Sequence, residues 1–242
     1  MQFELTKATE ALKFELSKRE VDSILPCQVK LAFDVSGSFD DEHRNGYTQQ
    51  LLNRFVPFAM LFDKDKTLDS YVFSNSEERL CDINEHNYSN YVRKEIMQSD
   101  SYNGGTNYLP VIKHMIEGSA IDDVKEKAKG FFGKLFGKRQ ESMVDSTKSS
   151  DKNLIFFVTD GQASDQNETK RFLDSVMPDG KNFIVFISIG SHKFSFFDRY
   201  YSDTEYSSYF NLTPRELRNL EDCSDEDMYN LILTPQLIEW MK

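Results

Sequence analysis

The sequence predicts an α/β fold of the doubly wound class, with a mostly parallel central sheet and helices on both faces. Three observations carry that expectation. Residues 153–159 (NLIFFVT) and 182–189 (NFIVFISI) are unbroken apolar runs of strand length, the pattern of strands covered on both faces. Strand-like and helix-like segments alternate along the chain, the order that βαβ units with right-handed crossovers produce. Asp34 and Asp160 each follow such a strand, at the carboxyl edge where open α/β sheets bind ligands.

The elements follow in order. Residues 28–33 (QVKLAF) read as a strand that ends at Asp34 and feeds the loop Val-Ser-Gly-Ser. From 43 to 62, Tyr47, Leu51, Phe55 and Phe58 recur three or four apart, which predicts a crossover helix that Pro57 kinks or ends. Residues 68–73 predict a second strand and 84–97 a polar helical stretch with Tyr88, Tyr91 and Val92 on one side. The run Ser101-Tyr-Asn-Gly-Gly-Thr-Asn is a tight loop that opens a helix over 108–117. Residues 169–176 predict a short helix, and the aromatics between Phe194 and Phe210 pack a last strand and a C-terminal helical pair, the second helix capped by Ser224 with Asp227 three residues on.

Two segments stand apart from this minimal plan. Residues 1–27 form an N-terminal extension: Phe3, Leu5, Leu12, Phe14 and Leu16 suggest a hairpin or pair of edge strands, with residues 17–24 as a short helix. Residues 28–242 form the main domain, interrupted by an insertion at about 118–152 whose Ser/Thr/Lys/Asp-rich end has the composition of a tether.

Composition excludes several function classes. Lys and Arg number 29 against 40 Asp and Glu, and the net charge of −11 repels phosphate backbones, so no nucleic-acid partner is expected. No apolar stretch approaches the roughly 20 residues a membrane span requires, and the N-terminus lacks the pattern of a secretory signal. Cys27, Cys81 and Cys223 are far apart and odd in number, which suits a reducing cytoplasm rather than a disulfide framework or zinc site. His43, His86, His114 and His192 show no ligand spacing and read as solvated or core hydrogen-bonding residues.

The chemistry concentrates in three loops: Asp34-Val-Ser36-Gly-Ser38, Gly104-Gly105-Thr106 and Thr159-Asp160-Gly161. Two carboxylates and three hydroxyls are hard oxygen donors, and such a set suits Mg²⁺, which prefers octahedral oxygen coordination and keeps some of its waters; Mn²⁺ or Ca²⁺ would serve as well. Ser36 and Ser38 lie two apart in a turn that Gly37 lets fold tightly, while the adjoining glycines let the backbone of Thr106 approach the same point. Read alone, the first loop is equally a capped strand-to-helix turn, and the order and placement of the other two favour the metal.

These residues resemble the von Willebrand factor A (vWA) domain, whose metal-ion-dependent adhesion site (MIDAS) has the pattern DxSxS, a distant Thr and a distant Asp. The segments beginning at Leu52, Leu61, Asn103, Phe157 and Ile189 are similar to the TerF-like vWA proteins of bacteria and phages, related to the tellurium-resistance operon. The resemblance covers about residues 20–240 apart from the insertion. It implies a Rossmann-like vWA fold in which Ser36, Ser38 and Thr106 contact Mg²⁺ directly or through water, Asp34 and Asp160 hold its waters, and a protein partner's Asp or Glu completes the shell. Phe39-Asp40-Asp41-Glu42 stands where many relatives carry Met and fewer acids. The added negative charge would tighten cation binding and discourage an acidic partner ligand.

The expected function is therefore non-catalytic, metal-dependent protein binding, with tellurite response, stress response or phage assemblies as the context the resemblance suggests. A Mg²⁺-dependent hydrolase of phosphorylated substrates is the competing class. Aspartate-based phosphatases, however, need a second acid where Ser36 stands, and the chain has neither a GxxxxGK[ST] nor a GxSxG motif. A third reading makes the ion a stiffener of loops in a structural assembly. The insertion adds a separate expectation. Residues 125–139, from Lys125 to Arg139, carry six basic residues against one acid, with Val124, Ala128, Phe131, Phe132 and Leu135 on one helical face. Such a segment covers the domain's own core or contacts an anionic membrane surface or a partner.

Overall fold

Seven strands form one sheet in the order β3-β2-β1-β4-β5-β7-β6 in the computed structural model, which describes residues 4–21, 25–118 and 152–242. The strands are β1 (Gln28–Asp34), β2 (Leu68–Phe73), β3 (Glu77–Arg79), β4 (Asn153–Thr159), β5 (Asn182–Ile189), β6 (Asp203–Thr204) and β7 (Ser207–Leu212). The inner five are parallel, and the short edge strands β3 and β6 pair antiparallel. Every residue of β4 and β5 is buried, so their continuous apolar character reflects helices on both sides. The doubly wound expectation holds.

The helices are α1 (Leu5–Lys18), α2 (Asp40–Arg44), α3 (Tyr47–Phe62), α4 (Tyr91–Lys94), α5 (Leu109–Glu117), α6 (Gln166–Val176), α7 (Ser195–Tyr200), α8 (Pro214–Arg218), α9 (Asp225–Ile232) and α10 (Pro235–Met241). Alternation along the strands divides the apolar side chains between two cores. Val29, Leu31 and Phe33 of β1 join Phe156 and Phe183 beneath α1, α3, α9 and α10. Ala32, Ile155, Phe157 and Phe186 turn the other way, beneath α5, α6 and α7.

Chain order reverses between β1 and β4, where β1 leads outward to β2 and β4 leads the opposite way to β5. This is the topological switch point, and the crevice above it is open because neighbouring connections leave in opposite directions. Asp34 ends β1, and Asp160 follows the last residue of β4. Register fixes their proximity, since Phe33 is paired with Val158.

Three local expectations need correction. The N-terminal extension is a 14-residue helix rather than a hairpin: Ala8, Leu12, Glu15 and Leu16 recur at helical spacing and are buried, whereas Phe14, part of the supposed alternation, is exposed. Helix α3 continues through Pro57 to Phe62, because burial of Phe55, Val56, Phe58 and Ala59 holds it in place despite the lost backbone donor. The stretch 84–97 contains only one turn of α-helix, α4, before a 3₁₀ segment over Ile96–Gln98. The Ser224 cap forms as expected, with its Oγ accepting from Asp227 N at 3.1 Å. The basic segment from Lys125 to Arg139 lies outside the described residues.

Candidate metal centre

Asp34 is the floor of the crevice. Its carboxylate is fully buried and is held from both neighbouring strand ends: Oδ1 accepts from Ser36 N at 2.8 Å and Oδ2 accepts from Thr159 Oγ1 at 2.6 Å. The first bond closes the β1 loop into a tight turn, so that Ser36 and Ser38, two apart, point the same way; their hydroxyl oxygens are 3.2 Å apart. Ser38 Oγ then donates to Asp160 Oδ1 at 2.8 Å, which joins the β1 and β4 loops.

The second loop reaches this point because it has no side chains in the way. Gly37 N donates to Gly104 O at 3.1 Å and Asn103 N to Val35 O at 2.7 Å, which lays the 103–106 segment directly on the β1 loop. A Cβ at Gly104 would stand 2.5 Å from Ser74 Oγ, closer than a carbon atom tolerates. Thr106 then arrives over Gly161: a Cβ there would lie 3.0 Å from Thr106 Oγ1 and 3.9 Å from Asp34 Oδ2. The structure thus brings Asp34, Ser36, Ser38, Thr106 and Asp160 to one place. Exposure rises from buried Asp34 and Ser36, through half-buried Thr106 and Asp160, to exposed Ser38, so the cluster is open on one side.

The charge state of the cluster is unusual. Burial and the neighbouring Asp34 carboxylate, with a further contribution from Glu42, push Asp160 up to about 7. Burial also raises Asp34, against the hydrogen bonds from Ser36 and Thr159 that favour its ionised form. Two carboxylates that resist ionising together are what a cation would relieve. Spacing agrees: neighbouring oxygens on an octahedron around Mg²⁺ are about 2.9 Å apart, given metal–oxygen distances of about 2.0–2.1 Å. The Ser36–Ser38 separation of 3.2 Å is close to that edge, and Asp160 Oδ1, 2.8 Å from Ser38 Oγ, stands beside the same hydroxyls. Among the described residues no group of three or more His, Cys, Asp or Glu could hold a metal, so a cation here depends on hydroxyls.

Several supporting residues escape a motif reading. Thr159 ends the apolar run of β4 and looks like an ordinary strand residue, yet it holds Asp34. His43 is a core residue, as expected of the histidines, but it also carries Asp34 from below: Nε2 donates to Asp34 O at 2.8 Å and Nδ1 accepts from Thr48 Oγ1 at 2.9 Å. Burial lowers His43 to about 4, which keeps it neutral, and the Asp34 carbonyl, which can only accept, places the proton on Nε2. Phe39 is buried with its ring 4.9 Å from that of His43, so it packs the core under the site. Asp40, which follows it, is held by Arg44 at 2.5 Å and Tyr102 at 2.7 Å.

With this geometry in view, comparison with known proteins is informative. Residues 26–129 match the family model vWA-TerF-like, described as the vWA found in the TerF C terminus. Over 236 residues the chain is 25% identical to the uncharacterized protein YcbR of Bacillus subtilis (strain 168), spanning 96% of this chain and 84% of that protein. Among solved structures, proximal thread matrix protein 1 from the mussel byssus (crystal form 2) is similar at a TM-score of 0.50 and 14% identity, covering 86% of this chain and 48% of that one. The structure of the same mussel protein with a zinc occupied MIDAS motif gives a TM-score of 0.48 at 14% identity, covering 82% and 46%. This chain therefore spans about half the length of those solved chains, and the likeness is one of fold. The protein has the vWA fold, and its residues 26–129 are similar to the TerF-like vWA family model.

Proposed function

We propose that the protein is a non-catalytic, cation-dependent binding module that docks a protein partner through a metal held by Ser36, Ser38, Thr106, Asp34 and Asp160. The observation that carries this reading is the meeting of three hydroxyls and two mutually repelling carboxylates in an open crevice at the switch point. A hard divalent cation, Mg²⁺ first and Mn²⁺ or Ca²⁺ as substitutes, fits that oxygen set. Five side chains on one side leave the solvent side for water or for a partner's Asp or Glu. The ion is read from the donor chemistry alone.

Catalysis is disfavoured by what surrounds the site. His43 has both nitrogens committed to Asp34 O and Thr48 and stays neutral, and Ser36 occupies the position where an aspartate-based phosphatase carries its acid. The hydrolase reading predicts Mg²⁺-dependent phosphate release from nucleotides or phosphoesters that Asp34→Ala abolishes. The binding reading predicts background release from both proteins. Docking itself is tested by capturing a partner in Mg²⁺ and in EDTA with wild type and Ser36→Ala: retention must require both the ion and Ser36. Equal retention in EDTA would favour the loop-stiffening reading.

Location and context follow the same logic. No described helix is long and apolar enough to cross a membrane, and Cys27, Cys81 and Cys223 are unpaired, which suits a reducing cytoplasm. The resemblance to TerF-like proteins makes tellurite or stress response and phage assemblies the contexts in which to seek the partner. Contact of the Lys125–Arg139 segment with a membrane surface or a partner is part of this proposal and is separable from the metal by deleting residues 125–139.

A further inference from the structure

The Thr106 and Asp160 loops come from different crossovers, and each could move by itself unless something ties them. Four contacts do so. Tyr108 Oη donates to Gly161 O, Ser164 N donates to Thr106 O at 3.2 Å, and Ser164 Oγ donates to Asn107 Oδ1 at 2.6 Å. The fourth contact is different in kind. Asp165 stands at the N-cap position of α6, where an Asp side chain ordinarily accepts from the second or third amide of its own helix. It makes no such bond. Its carboxylate instead crosses to α5, with Oδ1 accepting from Tyr108 N and Oδ2 from Leu109 N, both at 2.9 Å.

Asp165 thus starts two helices at once. Its backbone carbonyl accepts from Thr169 N and Thr169 Oγ1, both at 2.9 Å, which begins α6, while its carboxylate caps α5, whose own N-cap residue Tyr108 supplies no side-chain cap. The negative charge lies against the positive end of a helix and takes two amides in parallel, the strongest form this contact can take. Thr106 is two residues before one of those amides, and Asp160 is five residues before the carboxylate.

We propose that Asp165 is a positioning residue that sets the separation of Thr106 from Asp160 and so tunes cation affinity at a site it does not touch. This rests on the metal-binding reading above. A site built from fixed oxygens loses affinity when their spacing loosens, and outer partners of ligands typically govern 10- to 100-fold in affinity. A cap that merely stabilised α5 would change melting and leave the affinity of the folded protein alone.

The test compares Mn²⁺ binding and the Mn²⁺ paramagnetic resonance spectrum of full-length wild type, Asp165→Ala, Asp165→Asn and Ser224→Ala. Ser224 caps α9, away from the crevice, and serves as the control for loss of a helix cap. Asp165→Ala is expected to weaken Mn²⁺ binding at least tenfold and to broaden the spectrum, with Asp165→Asn in between because its amide oxygen still takes one of the two amides. Ser224→Ala should lower the melting temperature and leave Mn²⁺ affinity unchanged. If Asp165→Ala does not fold, the Asn variant carries the comparison. Wild-type affinity in a folded Asp165 variant overturns the inference while leaving the metal site standing. Absence of Mn²⁺ binding by wild type overturns the inference together with the reading beneath it.

Discussion

Thr159 Oγ1 donates a 2.6 Å hydrogen bond to Asp34 Oδ2, joining the last residue of β4 to the last residue of β1 in the interior of the sheet edge. Both residues are fully buried. The bond determines which way the Asp34 carboxylate faces: one oxygen is turned to Thr159, and the other receives Ser36 N and shapes the turn that presents Ser36 and Ser38. Thr159→Val keeps the shape and removes the donor. It should cost about 1–3 kcal/mol in chemical denaturation, since a buried carboxylate oxygen loses its partner, and it should weaken cation binding as Asp34 reorients.

Three other residues of the cluster give a sharper contrast between binding and stability. Ser36→Ala, Thr106→Ala and Asp160→Ala should each weaken Mg²⁺ or Mn²⁺ binding about 10- to 100-fold by titration calorimetry, with unchanged circular dichroism. Their side chains lie at the loop edge, outside both apolar clusters. Unfolding of all three would mean that the cluster is part of the core's stability.

Gly161→Ala probes proximity without removing a donor. The new methyl would stand 3.0 Å from Thr106 Oγ1, so Thr106 must give way by a few tenths of an ångström. Cation affinity should fall while far-ultraviolet circular dichroism stays the same, and Thr106→Ser in the same background should recover part of the loss by freeing the Thr methyl.

Protonation at the site should couple to the cation. With Asp160 pushed up to about 7, the free protein holds a proton there below neutrality, and that proton must leave when a cation enters. Affinity should be constant well above pH 7 and fall as pH drops through it, approaching about tenfold per unit. Proton release measured in buffers of different ionisation enthalpy should rise from near zero at pH 8.5 toward one at pH 6. A pH-independent affinity between 6 and 8 would contradict the arrangement of the two carboxylates.

Stability should have its own acid dependence through His43. Its folded value, lowered to about 4, lies below the unfolded 6.5, so between those values the unfolded chain binds the extra proton. Stability therefore rises with pH across that window and is lost as pH falls from 6.5 toward 4, on the order of 2 kcal/mol by pH 4.5. His43→Gln, which can still donate to Asp34 O, should flatten that part of the profile in urea denaturation at pH 7 and 4.5.

Much of this architecture is written in local pattern. The runs at β4 and β5 are apolar throughout because both faces are covered, and motif residues at strand ends can be located without coordinates. Where the reading missed, two periodicities overlapped. Leu12, Phe14 and Leu16 alternate like a strand, yet Ala8, Leu12 and Leu16 also share one helical face, and only packing against α3 and α9 selects the helix. The five residues that meet at the crevice were legible as a set because three loops bearing hydroxyls and carboxylates follow one another in order, whereas one such loop alone reads equally as a capped turn. The roles of Thr159, singled out only as the neighbour of Asp160, and of His43 were not, since their bonds to Asp34 exist only after β1, β4 and α2 converge. Asp165 illustrates the same limit: an Asp opening a helix suggests a local cap, whereas its partners lie 57 and 56 residues away.

The most direct measurement is titration of the full chain with Mg²⁺ and Mn²⁺ by calorimetry at pH 7.5, beside Asp34→Ala. One saturable site is expected, with Mn²⁺ heat abolished in the variant and each metal displacing the other. A wild-type protein that is folded and gives no saturable signal with either ion at millimolar concentration would contradict the account.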